Sequence, residues 1–319
     1  MTDTDPGSDQ ALTDGLYSPD SVTWRVHADP LLGVAGMRAL LLQVLDPRAM
    51  SAHRAHSWTG IDFWHRLTRT TQYVAVTTYG STTEAMMAGA RLRARHATVV
   101  GVTADGRQYA ADDPELLVWT HCCLVDSFLR VVVRGGMPMT ARQADAYVAE
   151  QVRAATIVGL EPDEVPNDLA GLQAYFKATQ PRLGVTAEAR VAASRVVAPP
   201  LRAVDSPAPT NVHRHPGADA LRAPGPGRGA VGDRSGHAGP ARRPDSAQRP
   251  PWAAMAGLAY AVLPGWARRL YALPALPGTA GLSSTAATLA LRALRTTMTS
   301  GISTSDGVEG PDSPDIPLP

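Results

Sequence analysis

Two short stretches carry side chains whose types and spacing could do chemistry. In HRLTRTTQYVAVTTYG, residues 65–80, Arg66 and Thr70 stand four apart and Arg69 lies beside them. Residues at i and i+4 share a helical face, so a segment otherwise suited to a core presents two guanidiniums and a hydroxyl together. Guanidiniums recognise carboxylates in a planar fork and make charge-assisted hydrogen bonds. Surface arginines passing an apolar face account for the same spacing. In RLRARHATVVG, residues 91–101, His96 sits between alanines with Arg93 one turn before it. A helical imidazole is a common ligand of haem iron, and small neighbours leave room for a flat group. Taken alone, a single helical histidine is more often structural.

A third stretch, VWTHCCLVDSFLR, residues 118–130, carries His121 between Trp119 and Asp126. His121 is a candidate second group beside an iron or a partner for a carboxylate; the ordinary alternative is a satisfied buried histidine. Val118, Cys122, Val125 and Leu129 make a core stripe. His53 and His56 share a face and, with His121, offer a non-haem metal site as a third possibility, although no carboxylate stands at a matching spacing. His213, His215 and His237 read as solvated. The chain has no GxGxxG after a strand, P-loop, GxSxG, HExxH or CxxC. Cys122 and Cys123 are adjacent, too close to bridge each other, and read as small buried apolar residues.

The elements that must position these groups are helices. Asp29-Pro30 is an N-cap and first-turn signal ahead of the apolar run Leu31–Leu45, which Pro47 ends. A helix over Asp62–Tyr79 follows, with Phe63, Leu67, Val74 and Tyr79 as apolar contacts. Gly80-Ser81-Thr82 breaks it, and Thr82 or Thr83 caps a helix running to about Val100, which places His96 mid-helix. Val99–Tyr109, turning at Asp105-Gly106, reads as a small hairpin. Asp112-Asp113-Pro114 starts Glu115–Arg134, and Gly135-Gly136 stops it. Thr140 and Gln143 form a capping box for Ala141–Val158. Gly159 ends that helix, Asn167 or Asp168 starts the next, and Thr186 starts Ala187–Val197. Two helices after Trp252 are expected to dock on the main body. The fold class is therefore all-α, a bundle-like single domain interrupted by one insertion.

The expected organisation is a disordered leader over 1–17, the main domain over 18–202, an insertion over 203–251, C-terminal helices over 252–300 and a loose tail over 301–319. The insertion is rich in Pro, Gly and Arg, lacks aromatic residues and cannot build a core. It fits a linker or a GC-rich stretch translated in another frame; the composition favours the second. Lys177 is the only lysine, and arginine in its place suggests a GC-rich, bacterial-type genome. The formal net charge of +1 gives no field for nucleic acid or an anionic membrane. No signal peptide and no continuous apolar run of membrane-span length is apparent, so a cytoplasmic protein is the default. Oligomeric state is not encoded in any visible motif.

Five stretches in order, DPLLGVAGMRALLLQVLDPRAM, HRLTRTTQYVAVTTYG, RLRARHATVVG, DGRQYAADDPELLVWTHCCLVDSF and GLAYAVLPGWARRLYALP, resemble the oxygenase MpaB family, which includes the catalytic domain of rubber oxygenase (latex clearing protein). The resemblance covers roughly residues 22–200 and again Trp252–Leu294. It implies an all-α fold, haem b, dioxygen and a small lipophilic substrate cleaved oxidatively at a C=C bond. It places His96 as the axial ligand of the haem iron with Arg93 beside it, and it matches Arg66 and Thr70 to the family's Arg-x-x-x-Thr. Arg69 stands where rubber oxygenases carry a basic distal residue, and His121 is a further cofactor-side candidate. There are departures. Asp46-Pro47 replaces the family's His-Pro, Val100 replaces an arginine one turn past the axial histidine, and only Asp62 lies near the distal acid's place. Polyisoprene is therefore a poor substrate candidate. An apolar pocket of Leu40, Leu41, Val44 and Phe128 would admit an isoprenoid alkene. A non-catalytic helical haem- or lipid-binding protein is the alternative.

Overall fold

The computed structural model describes residues 15–57, 60–103, 105–197, 255, 258–271 and 284–299. Ser21 caps α1 (Val22–His27), its hydroxyl accepting the Trp24 amide. Asp29 accepts the Leu31 amide at 2.9 Å, one turn ahead of α2 (Leu32–Gln43), so the Asp-Pro signal shapes the approach rather than the cap itself. Asp46 then accepts the Arg48 and Ala49 amides at the start of α3 (Pro47–Ser57). That is an ordinary Asp N-cap with proline in the first turn, and it gives Asp46 a structural task.

Helix α4 (Gly60–Tyr79) and α5 (Thr82–His96) form an antiparallel pair around the Gly80-Ser81 turn. The cap of α5 is Ser81, not Thr82 or Thr83: its hydroxyl accepts the Glu84 amide and Glu84 bonds back to the Ser81 amide. The two short strands β1 (Val100–Val102) and β2 (Gln108–Ala110) pair antiparallel, Gly101 opposite Tyr109, as the hairpin pattern predicts.

Helix α6 (Pro114–Arg134) is the centre of the fold. Asp113 caps it, Gly135 ends it, and it lies along α2, with Leu116, Trp119, Cys122, Cys123, Phe128 and Leu129 buried. Among the described helices it alone has the length and apolar character to cross a bilayer, and 78% of that apolar window is buried inside the protein. A mainly apolar helix buried over most of its surface is what a core position selects. Both cysteines are free thiols.

Next come α7 (Ala141–Ile157) with the expected Thr140–Gln143 capping box, α8 (Leu169–Thr179) capped by Asp168, and α9 (Ala187–Val197). Gly159 follows α7 with φ +99°, a left-handed stop. Helices α10 (Gly265–Tyr271) and α11 (Ser284–Thr299) complete the described chain. Pro264 separates α10 from a helical stretch over 258–261, dividing what reads in the sequence as one helix. The Tyr271 hydroxyl donates to the Leu41 carbonyl, and Arg295 pairs with Asp29 at 2.9 Å, so the C-terminal helices close on the N-terminal ones. The fold is all-α apart from the one small hairpin.

The leader expected over 1–17 meets the fold earlier, since Gly15 bridges Ser81 and Tyr17 is buried. The insertion expected over 203–251 and the tail over 301–319 lie outside the described residues.

Candidate functional site

The α4–α5 pair sets the heights of the candidate residues. Arg66 and His96 are each fifteen residues from Ser81, about 22 Å along their helices at 1.5 Å per residue. A tight turn between antiparallel helices therefore puts the two level. Thr70 lies near the height of Leu92, and Tyr73 near that of Gly89. Arg66, Thr70, Tyr73 and Thr77 follow one stripe of α4 by the i, i+4, i+7 rule. Thr70 and Tyr73 are half-buried and Thr77 buried, while Arg69, about 100° round the helix from Thr70, is exposed. The side chain of Arg66 lies outside the described residues.

Tyr73 lies on the same stripe although its type and spacing drew no attention beside Arg66 and Thr70; the helical periodicity is the signal that finds it. Its phenol oxygen is buried with no hydrogen-bond partner among the described residues. Burial pushes the phenol's pKa up, and the charge of Arg93 partly counters that rise. Arg93 donates to the Ile157 carbonyl at the end of α7. Gly89, one turn earlier, allows that approach, since a Cβ there would collide with the same carbonyl. Helix α5 is thus drawn tightly onto α7.

His96 is the last residue of α5, with Ala97 as C-cap, rather than a mid-helix residue. The helix stops because the chain must turn into β1, and the Val99 amide returns to the His96 carbonyl. The ring is half-buried, and its Nδ1 is shielded from solvent. The unpaired carbonyls of a helix C-terminus favour positive charge nearby. An imidazole placed there, level with Arg66 at one end of the arginine-threonine-tyrosine stripe, has the donor chemistry to hold a metal centre.

The other candidates fall elsewhere. His121 is buried on α6, which packs on α1, α2, α7 and α11, whereas α5 packs on α4 and α7. Burial lowers the His121 pKa to about 4, so its ring is neutral at ordinary pH. Its nearby carboxylate, Asp126, pairs instead with Arg38 at 2.8 Å and with Arg130. Leu41, Val44 and Phe128 fill the hydrophobic core with Leu40 packed against it, so these four are packing residues and not a substrate pocket. A cavity of about 470 Å³ lies instead between Gly135-Gly136 and Arg292, Arg295, Thr296 and Thr299, with a polar lining unsuited to an alkene. The side chains of His53, His56 and Asp62 lie outside the described residues, and no group of three metal-binding side chains occurs among those described.

Two buried polar clusters were not legible from spacing. His27 Nδ1 is 2.7 Å from the Thr78 hydroxyl and its Nε2 is 3.2 Å from the Tyr147 hydroxyl, with Phe128 edge-on to the ring. Burial lowers the His27 pKa to about 3. Arg38, fully buried on α2, donates to the Ser127 hydroxyl at 2.7 Å and the Val262 carbonyl at 3.1 Å besides its pairing with Asp126. Each cluster joins residues far apart in the chain.

Comparison with curated proteins and with solved structures finds no match. Residues 24–299 match the family described as ER-bound oxygenase mpaB/B'/Rubber oxygenase, catalytic domain. The matched span takes in the whole α4–α5 pair, α6 and the closing C-terminal helices, and this all-α chain belongs to that oxygenase family.

Proposed function

We propose that the protein is a haem-dependent oxygenase that cleaves a C=C bond of a small lipophilic, isoprenoid-type substrate with dioxygen. The observation that carries this reading is the level placement of Arg66 and His96 on the paired helices, with the buried, partnerless Tyr73 phenol two turns further along the Arg66 stripe. When bound, haem supplies the activation of dioxygen. His96 would hold the iron through its imidazole. Arg66, Arg69 and Arg93 are the candidates for the propionates, because a guanidinium fork matches a carboxylate. Thr70 and Tyr73 would donate hydrogen bonds, the Tyr73 phenol gaining a partner that the described protein does not give it. Addition of both oxygen atoms across the alkene yields two carbonyl fragments and consumes no outside reductant.

The second reading, a haem- or lipid-binding protein without turnover, has one observation in its favour. Among the described side chains of α4 and α5 the only carboxylate is Glu84, which is engaged in the α5 capping box, so the pair offers no distal base there. The test is spectroscopic first. The full chain reconstituted with haem should show a Soret band that His96→Ala abolishes or shifts; an unchanged band in His96→Ala refutes the haem assignment. Oxygen uptake with isoprenoid alkenes then separates the two readings, and binding without uptake favours the second.

A further inference from the structure

Strand β1 is an open sheet edge. The Ala111 amide donates to the Val99 carbonyl at 2.9 Å and the Thr103 amide to the Arg107 carbonyl at 2.8 Å. Bonded and unbonded pairs alternate along an antiparallel ladder. Val99, Gly101 and Thr103 therefore turn their peptide groups toward β2, while the amides and carbonyls of Val100 and Val102 point away from it. No hydrogen bond joins these outward groups to another described residue. The side chains alternate too. On the inner face a Cβ at Gly101 would collide with the Tyr109 ring, which is buried and whose hydroxyl reaches the Ser51 carbonyl of α3 at 3.4 Å. On the outer face Val100 and Val102 are 63% and 62% exposed, the most of any large apolar side chains among the described residues. Sheet edges are ordinarily blunted by a charge, a proline or a bulge, and β1 carries none of these.

We propose that this edge pairs with the same edge of a second copy, joining the two hairpins into one antiparallel sheet about a two-fold axis at Gly101. Val99-Val100-Gly101-Val102-Thr103 reads almost alike in both directions, which suits a contact of a surface with itself. Val100 of one copy stands opposite Val102 of the other. Both present outward peptide groups, so each such pair exchanges both of its hydrogen bonds. The valines meet as β-branched cross-strand pairs, and Val99 faces Thr103, which has nearly its shape. Any other register loses at least one of these pairs. Antiparallel pairing also keeps like charges apart. Exposed Arg95 stands at the end of α5 before β1, and Asp105 and Arg107 pair at the turn after it. Each Arg95 thus approaches the other copy's turn, with its Asp105 carboxylate, rather than a second Arg95. An unrelated extended peptide would satisfy the same amides but gains nothing from the palindrome. A join of three residues falls short of the roughly 1,200 Å² of a stable interface, so the dimer is weak and forms with rising concentration. The inference does not depend on the haem reading, and its test reads association alone.

The experiment is sedimentation velocity of the full chain over a concentration series, with residue-resolved amide hydrogen exchange at its dilute and concentrated ends. The sedimenting mass should rise toward twice the 33.6 kDa of one chain. The Val100 and Val102 amides should exchange freely in dilute protein and slow in proportion to the dimer fraction, while the Gly101 amide, already in the ladder, changes little. V102P removes only an outward donor, a place where an edge strand tolerates proline. It should weaken dimerisation about thirtyfold, at roughly fivefold for each bond lost by the symmetric pair. V100K sets a lysine beside the join in each copy, and V100K/V102K sets lysines directly opposite one another and should abolish the dimer. L289S, at the 61% exposed Leu289 of α11, should leave it unchanged. Thermal melts establish that the variants remain folded, and the wild-type exchange pattern decides where one does not. The proposal is overturned if the chain sediments as a monomer at every concentration, or if it dimerises with the Val100 and Val102 amides unprotected. It is overturned as well if L289S, and not the folded β1 variants, dissolves the dimer.

Discussion

Replacing Asp126 by alanine should be among the most damaging single changes to the described fold. Arg38 is 1% exposed at its side chain and Asp126 5%, and the carboxylate bridges Arg38 and Arg130. Burial alone would raise the Asp126 pKa, but the guanidiniums of Arg38 and Arg130 outweigh it and hold the carboxylate ionised. Removing it leaves Arg38 buried with neutral partners only, the Ser127 hydroxyl and the Val262 carbonyl. Breaking a buried pair on one side costs about 3–5 kcal/mol, a large part of the roughly 5–15 kcal/mol that holds a domain together. At about 2–4 °C per kcal/mol for a domain of this size, Tm should fall by about 6–20 °C. The companion variant Arg38→Met/Asp126→Leu removes both charges and replaces them with apolar volume. It should recover most of the loss, because paired burial is close to neutral against an apolar substitute. Calorimetric melts of wild type, single and double variants complete the comparison. A fall of under about 1 kcal/mol for Asp126→Ala, or a double variant no better than the single, would refute the assignment of Arg38 as a charge dependent on Asp126.

Three further outcomes follow from the same geometry. His27 and His121 are held neutral by burial, their pKa values lowered to about 3 and about 4, so the folded state binds fewer protons than the unfolded chain below pH 6.5. Stability is then complete above the unfolded value and lost as pH falls, at about 1.4 kcal/mol per pH unit for each ring. Urea midpoints measured between pH 7 and 5 should show this loss, and His27→Gln should roughly halve its slope; a flat wild-type profile is the contrary result. Tyr73→Phe removes a buried hydroxyl without a described partner and should leave the melting temperature of the haem-free protein unchanged or higher. Its haem affinity should fall severalfold in a Soret titration; unchanged affinity removes Tyr73 from the site. Gly89→Ala drives a methyl group into the Ile157 carbonyl and should destabilise by about 1–3 kcal/mol in denaturant titration, whereas a neutral result would mean that α5 stands further from α7.

Much of the frame was legible in the chain because it is decided within a few residues. The Thr140–Gln143 box, the Asp113-Pro114 start, the Gly135 and Gly159 stops and the Asp105-Gly106 turn act between groups at most four apart, and each appears as read. The level placement of Arg66 and His96 is nearly as local, since a short turn and a constant helical rise determine it. The same neighbourhood shows where local reading fails. Ser81, Thr82 and Thr83 are chemically similar caps, and the choice fell to Ser81, whose backbone also bridges Gly15. Helix α5 stops at His96 because the chain turns there to pair β1 with β2, a hairpin the sequence showed without the earlier helix end it requires.

Tertiary structure decided what is buried. Nothing near Arg38 in the chain marks it as a core charge; Asp126, Ser127 and Val262 supply its partners only after α2, α6 and the C-terminal stretch pack together. His27 is likewise an ordinary helix-end histidine until Thr78 and Tyr147 close around it. Leu41, Val44 and Phe128 read as pocket or core with equal ease, and close packing made them core. Caps, turns and stripes are short-range and survive in the sequence as patterns. Burial and ion pairing depend on which helices meet, and that is determined by the packing of the whole chain.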